Sequence, residues 1–266
     1  ELKNKALKMA GWLKSKGIKK GDRVCAYMPN CSETIITMLA TSALGAIFSS
    51  CSSDFGIEGV IDRFEQIEPK ILVATNGYLY NGKLIDRAAE IKTISKRLTS
   101  LEHVLVVEYI TSTKDIDSFA NFNTVFQSDP LAKYVLCDFN DPLYIVFSSG
   151  TTGKPKCIVH SIGGVLIQHA KEHLLHTNLI EKEKMFYFTT CGWMMWNWLV
   201  GSLFCRSSII LYEGSPFYPN PEHLWEIAEK SDLNVFGTSA KYIDALSKSD
   251  IEPKRHFRLS NLRTIC

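Results

Sequence analysis

The sequence predicts an α/β fold of doubly wound, mostly parallel sheets covered by helices on both faces. Short apolar runs alternate with amphipathic stretches of helical spacing, at the pitch of β–α–β units. The predicted strands are continuous apolar runs rather than alternating ones, which is typical of parallel strands buried on both faces. A loop that contains glycine and lysine, Ser148–Lys156, lies between two of these strands and is the most distinctive stretch of the chain.

The first half of the chain shows the alternation most regularly. Helices are predicted over Leu2–Leu13, Glu33–Leu44, Ile57–Ile67 and Leu84–Leu98, and strands over Arg23–Met28, Ala46–Phe48, Ile71–Ala74 and Val104–Val107. Gly17 and Pro69 supply stop signals for the first and third helices, and Asn30 and Ser32 are candidate caps of the second. The segment Thr111–Asp141 breaks the pattern and is predicted to be a surface excursion that leads into the loop.

The alternation continues beyond the loop. Strands are predicted over Leu143–Phe147, Cys157–His160, Met185–Phe188, Ser208–Tyr212 and Asn234–Phe236, with helices over Gly164–Leu175, Trp196–Phe204, Pro221–Glu229 and Ala240–Leu246. Ligands of open α/β sheets bind outside the carboxyl ends of the strands. Ser148–Lys156 follows such an end, so the loop is predicted to lie at a ligand site.

Composition excludes several classes of protein. A net charge of +2 gives no reason to expect nucleic acid or an anionic membrane surface as a partner. A hydrophobic content of 45% in 266 residues is sufficient for a substantial core in one large domain or two small ones. The eight cysteines form no CxxC pair and mostly lie in apolar runs, which indicates reduced core thiols of an intracellular protein.

The charge-free segment Met185–Cys205 is long enough to span a membrane. Polar residues interrupt it, however, and its tryptophans lie in the middle rather than at the interfaces. We therefore expect a buried strand followed by a helix that begins near Trp193. The tryptophans and methionines there either pack in the core or form an apolar pocket for a small organic group.

A second pattern is His169-Ala170-Lys171-Glu172-His173, which matches the H-x-x-E-H arrangement of some zinc proteases. His176 extends the same helix face. No third ligand is marked in the sequence, so we predict no metal site and expect a solvated or edge-of-core helix instead.

The loop Ser148–Lys156 combines two glycines, four hydroxyls and two lysines without an acid. Glycines let backbone N–H groups turn into a concavity, and the lysines favour a polyphosphate ligand. The Walker A spacing fails because Ser148 holds its first glycine position and Pro155 holds its Ser/Thr position. Pro155 also disfavours a helix at Lys154, so the loop is predicted to return into a strand. A simple polar hairpin turn is the alternative.

The loop sequence SSGTTGKPK is similar to the phosphate-binding signature of the adenylate-forming superfamily, which includes acyl-CoA synthetases, luciferases and peptide synthetases. The flanking DPLYIVFSSGTTGKPKCIVHS extends the likeness beyond the motif. The stretch YEGSPFYPNPEHLWEIAEK resembles the acetyl-CoA synthetase branch, and TTCGWMMWNW and YNGK resemble its acetoacetate-using members. The resemblance covers essentially the whole chain.

The resemblance implies a two-step ligase reaction with ATP, Mg²⁺ and CoA. A carboxylate attacks the α-phosphate to give an acyl-adenylate and pyrophosphate, and the CoA thiol then displaces AMP. Acetoacetate is the expected acid, for ketone-body use in lipid synthesis in the cytosol. Acetate or propionate is the alternative acid, and an inactive truncated form with weak nucleotide binding is the alternative from another class.

The resemblance also assigns roles to residues. The loop residues expected at the β- and γ-phosphates are Ser149, Gly150, Thr151, Thr152, Gly153 and Lys154, with Lys156 nearby; Thr151, Thr152 and Lys154 are the expected catalytic residues. The residues expected near the adenylate are Gly237, Thr238, Ser239 and Ala240. Gly56 and Lys83 are candidates for the nucleotide end of CoA. Trp193, Met194 and Met195 are expected at the acyl and CoA-thiol end of the pocket.

The same resemblance predicts the domain organisation. Residues 1–266 correspond to the central part of the N-terminal adenylation domain, so its sheets are expected to be incomplete. The C-terminal domain, with its adenylation lysine, is expected to be absent. The family's adenine-contact segment, acidic Mg²⁺ ligand and ribose-binding aspartate would follow Cys266. We therefore expect this segment of chain to be inactive by itself.

Overall fold

The structure, a computed structural model, describes residues 1–111, 116, 118–148, 153–249 and 251–266. The chain forms two units. One comprises Glu1–Tyr78 and Leu84–Val165, and the other comprises Leu79–Lys83 and Leu166–Cys266. Each unit contains a sheet with parallel strand pairs, and the predicted mostly parallel α/β class is confirmed.

The helices and strands alternate over most of the described residues. The strands are β1 (Arg23–Met28), β2 (Ile47–Ser52), β3 (Ile71–Thr75), β4 (Gly77–Tyr80), β5 (Lys83–Asp86), β6 (His103–Val107), β7 (Ala120–Asn121), β8 (Pro142–Phe147), β9 (Cys157–Ser161), β10 (Lys184–Tyr187), β11 (Ser208–Ile210), β12 (Val235–Gly237) and β13 (Thr264–Ile265). The α-helices are α1 (Leu2–Ser15), α2 (Ser32–Ala43), α3 (Ile57–Phe64), α4 (Ala88–Arg97), α5 (Ile162–Ala170), α6 (Met194–Gly201), α7 (His223–Ser231), α8 (Ala240–Lys248) and α9 (Pro253–His256).

The sheet of the first unit has the strand order β7-β6-β3-β1-β2-β8-β9. Its strand pairs are parallel except for β8 and β9, which are antiparallel. β1 lies at the centre of the sheet, where Tyr27 pairs with Cys51 of β2 and Ala74 of β3. This position explains why residues 24–28 of β1 form an uninterrupted apolar run, because side chains on both of its faces are buried.

Helices α3 and α4 cover one face of this sheet. Val60 and Phe64 of α3 and Ile91 of α4 pack with Tyr27 and Leu72, and all five side chains are fully buried. Burying an apolar side chain of this size contributes about 1.5–3 kcal/mol. The helical spacing of these apolar residues is therefore the sequence feature that attaches the helices to the sheet.

The second unit contains a four-stranded parallel sheet of order β11-β10-β12-β13. The rings of Trp225 from α7 and Phe236 from β12 stack with centroids 4.4 Å apart. Phe186 of β10 and Tyr242 of α8 complete the fully buried aromatic centre. The charge-free segment forms β10, α6 and a 3₁₀ helix over Ser202–Cys205. None of the described helices is long and apolar enough to cross a membrane.

Three local predictions were wrong. The predicted helix over Leu84–Leu98 begins only at Ala88, because Lys83–Asp86 forms a hairpin with β4. Asn81 and Gly82 form its turn, and both have the positive φ that such a tight turn requires.

The cap of α2 and the surface excursion also differ from prediction. The N-cap of α2 is Cys31, without a side-chain cap bond, rather than Asn30 or Ser32. The predicted excursion contributes β7 and a 3₁₀ helix over Phe122–Gln127, whose Phe122 and Val125 are buried.

Two glycines in helices provide a test of packing in the first unit. A Cβ at Gly11 of α1 would lie well within 3.0 Å of the Asp129 backbone oxygen, in a segment held to α1 by the Leu131 N–H···Leu7 C=O bond of 2.8 Å. A Cβ at Gly59 of α3 would make only ordinary contacts. We expect Gly11→Ala to lower the free energy of unfolding by about 1–3 kcal/mol through overpacking. We expect Gly59→Ala to raise it by up to about 1 kcal/mol through helix propensity.

Urea unfolding followed by circular dichroism measures both changes. Equal stability of the two variants would contradict the close approach of Asp129 to α1.

Candidate functional site

The candidate phosphate loop joins β8 to β9. The two strands are antiparallel neighbours, and the Ser148 N–H donates to the Lys156 carbonyl oxygen at 3.1 Å. The prediction that the loop returns into a strand is therefore confirmed. Four of the predicted loop residues lie outside the described residues: Ser149, Gly150, Thr151 and Thr152.

The lysines of the loop lie at the surface. The Lys154 side chain is 63% exposed, and its Nζ lies 3.6 Å from a carboxylate oxygen of Glu65. Lys156 and Gly153 are also exposed. An ion pair in this setting contributes about 0–1 kcal/mol, so an incoming anion competes for Lys154 at little cost. The loop is tethered by Gln66, whose side-chain amide donates to the Pro155 carbonyl oxygen at 2.9 Å.

The two residues predicted for the nucleotide end of CoA fall in different units. Gly56, in the first unit, is the exposed N-cap of α3, and a Cβ there would meet nothing within 4 Å. Lys83, in the second unit, is the exposed first residue of β5.

The predicted adenylate segment, Gly237–Ala240, runs from the end of β12 into α8. The Thr238 N–H donates to the Cys266 carbonyl oxygen at 3.0 Å, which fixes the segment beside the end of the chain. Ser239 is the N-cap of α8, and its hydroxyl accepts from the Tyr242 N–H at 3.2 Å. The hydroxyl of Thr238 is buried and has no hydrogen-bond partner among the described residues. The segment thus offers an unpaired hydroxyl and a helix N-terminus at the carboxyl end of a strand.

Tyr187 covers Gly237 from the neighbouring strand. The two residues pair directly across β10 and β12, and a Cβ at Gly237 would lie well within 3.0 Å of the Tyr187 ring. Glycine is therefore the residue that leaves room for this ring at the strand end. Tyr187 also lines a cleft of about 460 Å³, so the cleft adjoins the predicted adenylate segment.

The exposed lining of the cleft is mostly apolar, and its residues fall into an apolar wall and a wall of polar residue types, called here the polar wall. Tyr187, Met194, Met195 and Trp198 form the apolar wall. The polar wall comes from α5 and the π-helix that follows it, Lys171–His176; its lining residues are Gln168, His169, Glu172, His176 and Thr177. Thr264 and Cys266 complete the lining. Trp193, the N-cap of α6, is 62% exposed and lies outside the lining.

The two histidines of the H-x-x-E-H pattern are buried, which places their helix at the edge of the core rather than in solvent. Nε2 of His173 lies 2.8 Å from the Trp198 carbonyl oxygen, and the centroids of the two rings lie 4.5 Å apart with their planes tilted by 34°. Burial lowers the pKa of His173 and so favours a neutral imidazole that donates from Nε2. Among the described residues, no cluster of three or more His, Cys, Asp or Glu side chains is suited to hold a metal ion.

Sequence reasoning missed the polar wall of the cleft. The spacing of His169, Glu172 and His176 predicts a solvated or edge-of-core helix rather than a metal site, and it does not predict that these residues line a cleft. Spacing along a helix shows which residues share a face, but it does not show that the face lies opposite Met195 and Trp198.

A comparison with protein families identifies the class of protein. The family described as "AMP-binding enzyme" matches residues 1–266 of this chain. The chain therefore belongs to the AMP-binding, or adenylate-forming, enzyme family, as the loop sequence indicated.

The chain is also similar to individual proteins, whose names are more specific than that of the family. The chain is 49% identical over 258 residues to acetoacetyl-coenzyme A synthetase of Rhizobium meliloti (strain 1021), covering 94% of this chain and 39% of that protein. It is 41% identical over 275 residues to acetoacetyl-CoA synthetase of Mus musculus, covering 100% of this chain and 41% of that protein. The solved structure of acetoacetyl-CoA synthetase from Streptomyces lividans superposes with a TM-score of 0.95 at 38% identity, covering 99% of this chain and 41% of that one. The chain thus spans about two-fifths of these relatives.

The contact between Gly237 and Tyr187 can be tested by a double-mutant cycle. We expect Gly237→Ala to lower the free energy of unfolding by about 1–3 kcal/mol, because the new methyl group displaces the ring. In a Tyr187→Ala background, the same change should cost less than about 1 kcal/mol, because the obstruction is gone. Urea unfolding of the four proteins measures the coupling, and an equal cost in both backgrounds would contradict this packing.

Proposed function

We propose that the full-length protein carrying this chain is an AMP-forming acetoacetate–CoA ligase. The observation that carries the proposal is the 41–49% identity, over nearly the whole chain, to relatives named acetoacetyl-CoA synthetase. The fold supports it, since a solved protein of that name superposes over 99% of the chain.

The loop after β8 would bind the β- and γ-phosphates of ATP. The exposed ammonium groups of Lys154 and Lys156 suit a polyphosphate that arrives from solvent. In the first step they would stabilise the negative charge that develops on the leaving pyrophosphate. Ser149–Thr152 and Gly153 would contribute backbone N–H groups and hydroxyls, as in the signature that the sequence resembles.

The segment Gly237–Ala240 would contact the adenylate. The buried hydroxyl of Thr238 has no partner among the described residues, and such a group is costly unless a ligand or water satisfies it. Ser239 caps α8, which begins at Ala240, so peptide N–H groups of the first turn are available beside that hydroxyl. These features fit a polar, anionic ligand.

The cleft in the second unit would hold the acid. Its volume of about 460 Å³ lies within the range of small-molecule sites. The wall of Met194, Met195 and Trp198 suits the methyl and methylene groups of acetoacetate. The exposed Trp193 would face the side from which the CoA thiol arrives.

CoA, Mg²⁺ and the cellular setting complete the proposal. Gly56 and Lys83 are the candidate contacts for the nucleotide end of CoA. Mg²⁺ typically binds through one or two carboxylates together with substrate phosphates, so it needs no dedicated cluster of ligands. We place the enzyme in the cytosol, where it would supply acetoacetyl-CoA for lipid synthesis, and we propose that residues 1–266 form the central part of its N-terminal domain.

A substrate panel tests the proposal. The full-length protein is supplied with ATP, Mg²⁺ and CoA, and AMP release is measured with acetoacetate, acetate and propionate. We expect the highest kcat/KM for acetoacetate. A higher kcat/KM for acetate or propionate would show that this acid, rather than acetoacetate, is the preferred substrate. No AMP release with any of the three acids would contradict the ligase assignment.

The phosphate role of Lys154 is tested separately. We expect Lys154→Ala to cost about 1–3 kcal/mol of transition-state stabilisation in the adenylation step, measured as pyrophosphate release. Glu65→Gln is the matched control, since it breaks the same ion pair but leaves the lysine in place. It should change the rate by no more than about twofold, because an exposed ion pair contributes little. Unchanged pyrophosphate release in Lys154→Ala would rule out the role.

A further inference from the structure

The two lysines of the phosphate loop project from a short arm of backbone, Lys154-Pro155-Lys156. The ladder between β8 and β9 ends at this arm, with the Ser148 N–H···Lys156 C=O bond of 3.1 Å. β9 also lies at the edge of its sheet among the described strands. Pro155 has no backbone N–H, so its carbonyl oxygen is the only backbone hydrogen-bonding group through which it can be held. The direction of the two lysines therefore depends on what this oxygen contacts.

The contact comes from Gln66, in the 3₁₀ turn Glu65–Ile67 that follows α3. Its side-chain amide donates to the Pro155 carbonyl oxygen at 2.9 Å and to the Asp62 carbonyl oxygen at 2.5 Å. Its side-chain oxygen accepts from the Cys157 thiol, with Oε1 and Sγ 3.6 Å apart. Both N–H groups and the oxygen of the amide are thus used. Gln66 joins the end of α3 to the backbone on either side of the second lysine.

The same end of α3 also contacts the entry to the loop. The guanidinium carbon of Arg63 lies 6.0 Å from the ring centroid of Phe147, the last residue of β8. It lies 4.7 Å from the ring centroid of Phe55, and Nη1 of Arg63 donates to the Gly59 carbonyl oxygen at 2.6 Å. Phe64 of the same turn is fully buried in the core. The end of α3 is therefore a fixed support that reaches both the entry and the exit of the loop.

We propose that Gln66 is a positioning residue for the phosphate loop, which through Pro155 directs Lys154 and Lys156 toward the β- and γ-phosphates of ATP. The inference rests on the proposed function, because it requires ATP at this loop. Long lysine side chains lose conformational entropy when they are ordered. A backbone that is held in place in advance leaves only the side chains to be ordered, which strengthens binding. The gain concerns the β- and γ-phosphates and not the adenosine part of the nucleotide.

The experiment compares ATP with AMP, which has the same adenosine and α-phosphate but lacks the β- and γ-phosphates. The dissociation constants of both nucleotides are measured by calorimetry on the full-length protein with Mg²⁺ but without acid or CoA, so that no turnover occurs. Gln66→Met keeps the length of the side chain and removes its amide. We expect it to raise the dissociation constant of ATP about threefold to tenfold, the effect of one hydrogen bond. The dissociation constant of AMP should stay unchanged.

Gln127→Met is the matched control. Gln127 is an exposed glutamine at the end of another 3₁₀ helix of the same unit, Phe122–Gln127. The same change of side chain there should leave both dissociation constants unchanged. Because Gln66 is exposed, we expect Gln66→Met to fold with the melting temperature of wild type. Gln66→Ala, which removes the amide without a longer replacement, should give the same difference between ATP and AMP.

The outcomes separate the two proposals. If the Gln66 variants bind ATP as tightly as wild type, Gln66 has no positioning role and this inference is wrong, while the proposed function stands. A rise in both dissociation constants by the same factor would also overturn the inference, since it would show a general structural role. If wild type binds no ATP, or releases no AMP with any of the three acids, the proposed function itself is wrong and so is the inference.

Discussion

The pairing of parallel strands is the constraint on which the rest of the structure depends. Because parallel neighbours need crossover connections, helices cover the faces of each sheet, and the parallel strands of a sheet end at the same edge of that sheet. The predicted ligand segments follow strands in this way. Ser148–Lys156 follows β8, Gly237–Ala240 begins at the last residue of β12, and the segment that leads to Trp193 follows β10. Backbone hydrogen bonding therefore decides where the functional side chains emerge, before any of their own chemistry is considered.

This constraint also explains which parts of the fold could be predicted from sequence. A strand buried on both faces must be apolar throughout, and the predicted bounds of β1 agree with the structure. The prediction was wrong at Lys83–Asp86, where a local turn overrides the periodicity. Asn81 and Gly82 both adopt positive φ, and Asn-Gly is a strong hairpin signal. That signal is present in the sequence, but the helical spacing of the run that begins at Leu84 predicts a helix in its place.

The loop of the first unit and the cleft of the second unit differ in how much of each the sequence predicts. The loop Ser148–Lys156 is contiguous, so its glycines, lysines and Pro155 predict its chemistry and its return into β9. The cleft is assembled from α5, the π-helix, β10, α6 and the last residues of the chain. Its polar wall depends on Gly201, which lets an imidazole approach α6 closely. No spacing rule connects residue 169 with residue 201, so this wall could be found only in three dimensions.

The buried side chains of His169 and His173 connect the cleft to the core of the second unit. Burying an imidazole costs free energy unless its nitrogens are hydrogen-bonded, and an apolar side chain would fill the same space without that cost. His173 is satisfied at Nε2 by Trp198, but its Nδ1 has no partner among the described residues. A residue that served packing alone would not need this arrangement. The cost is understandable if His173 fixes the ring of Trp198 on one side and supports His169 on the other. In this arrangement one buried side chain, His173, contacts both a residue of the polar wall, His169, and a residue of the apolar wall, Trp198.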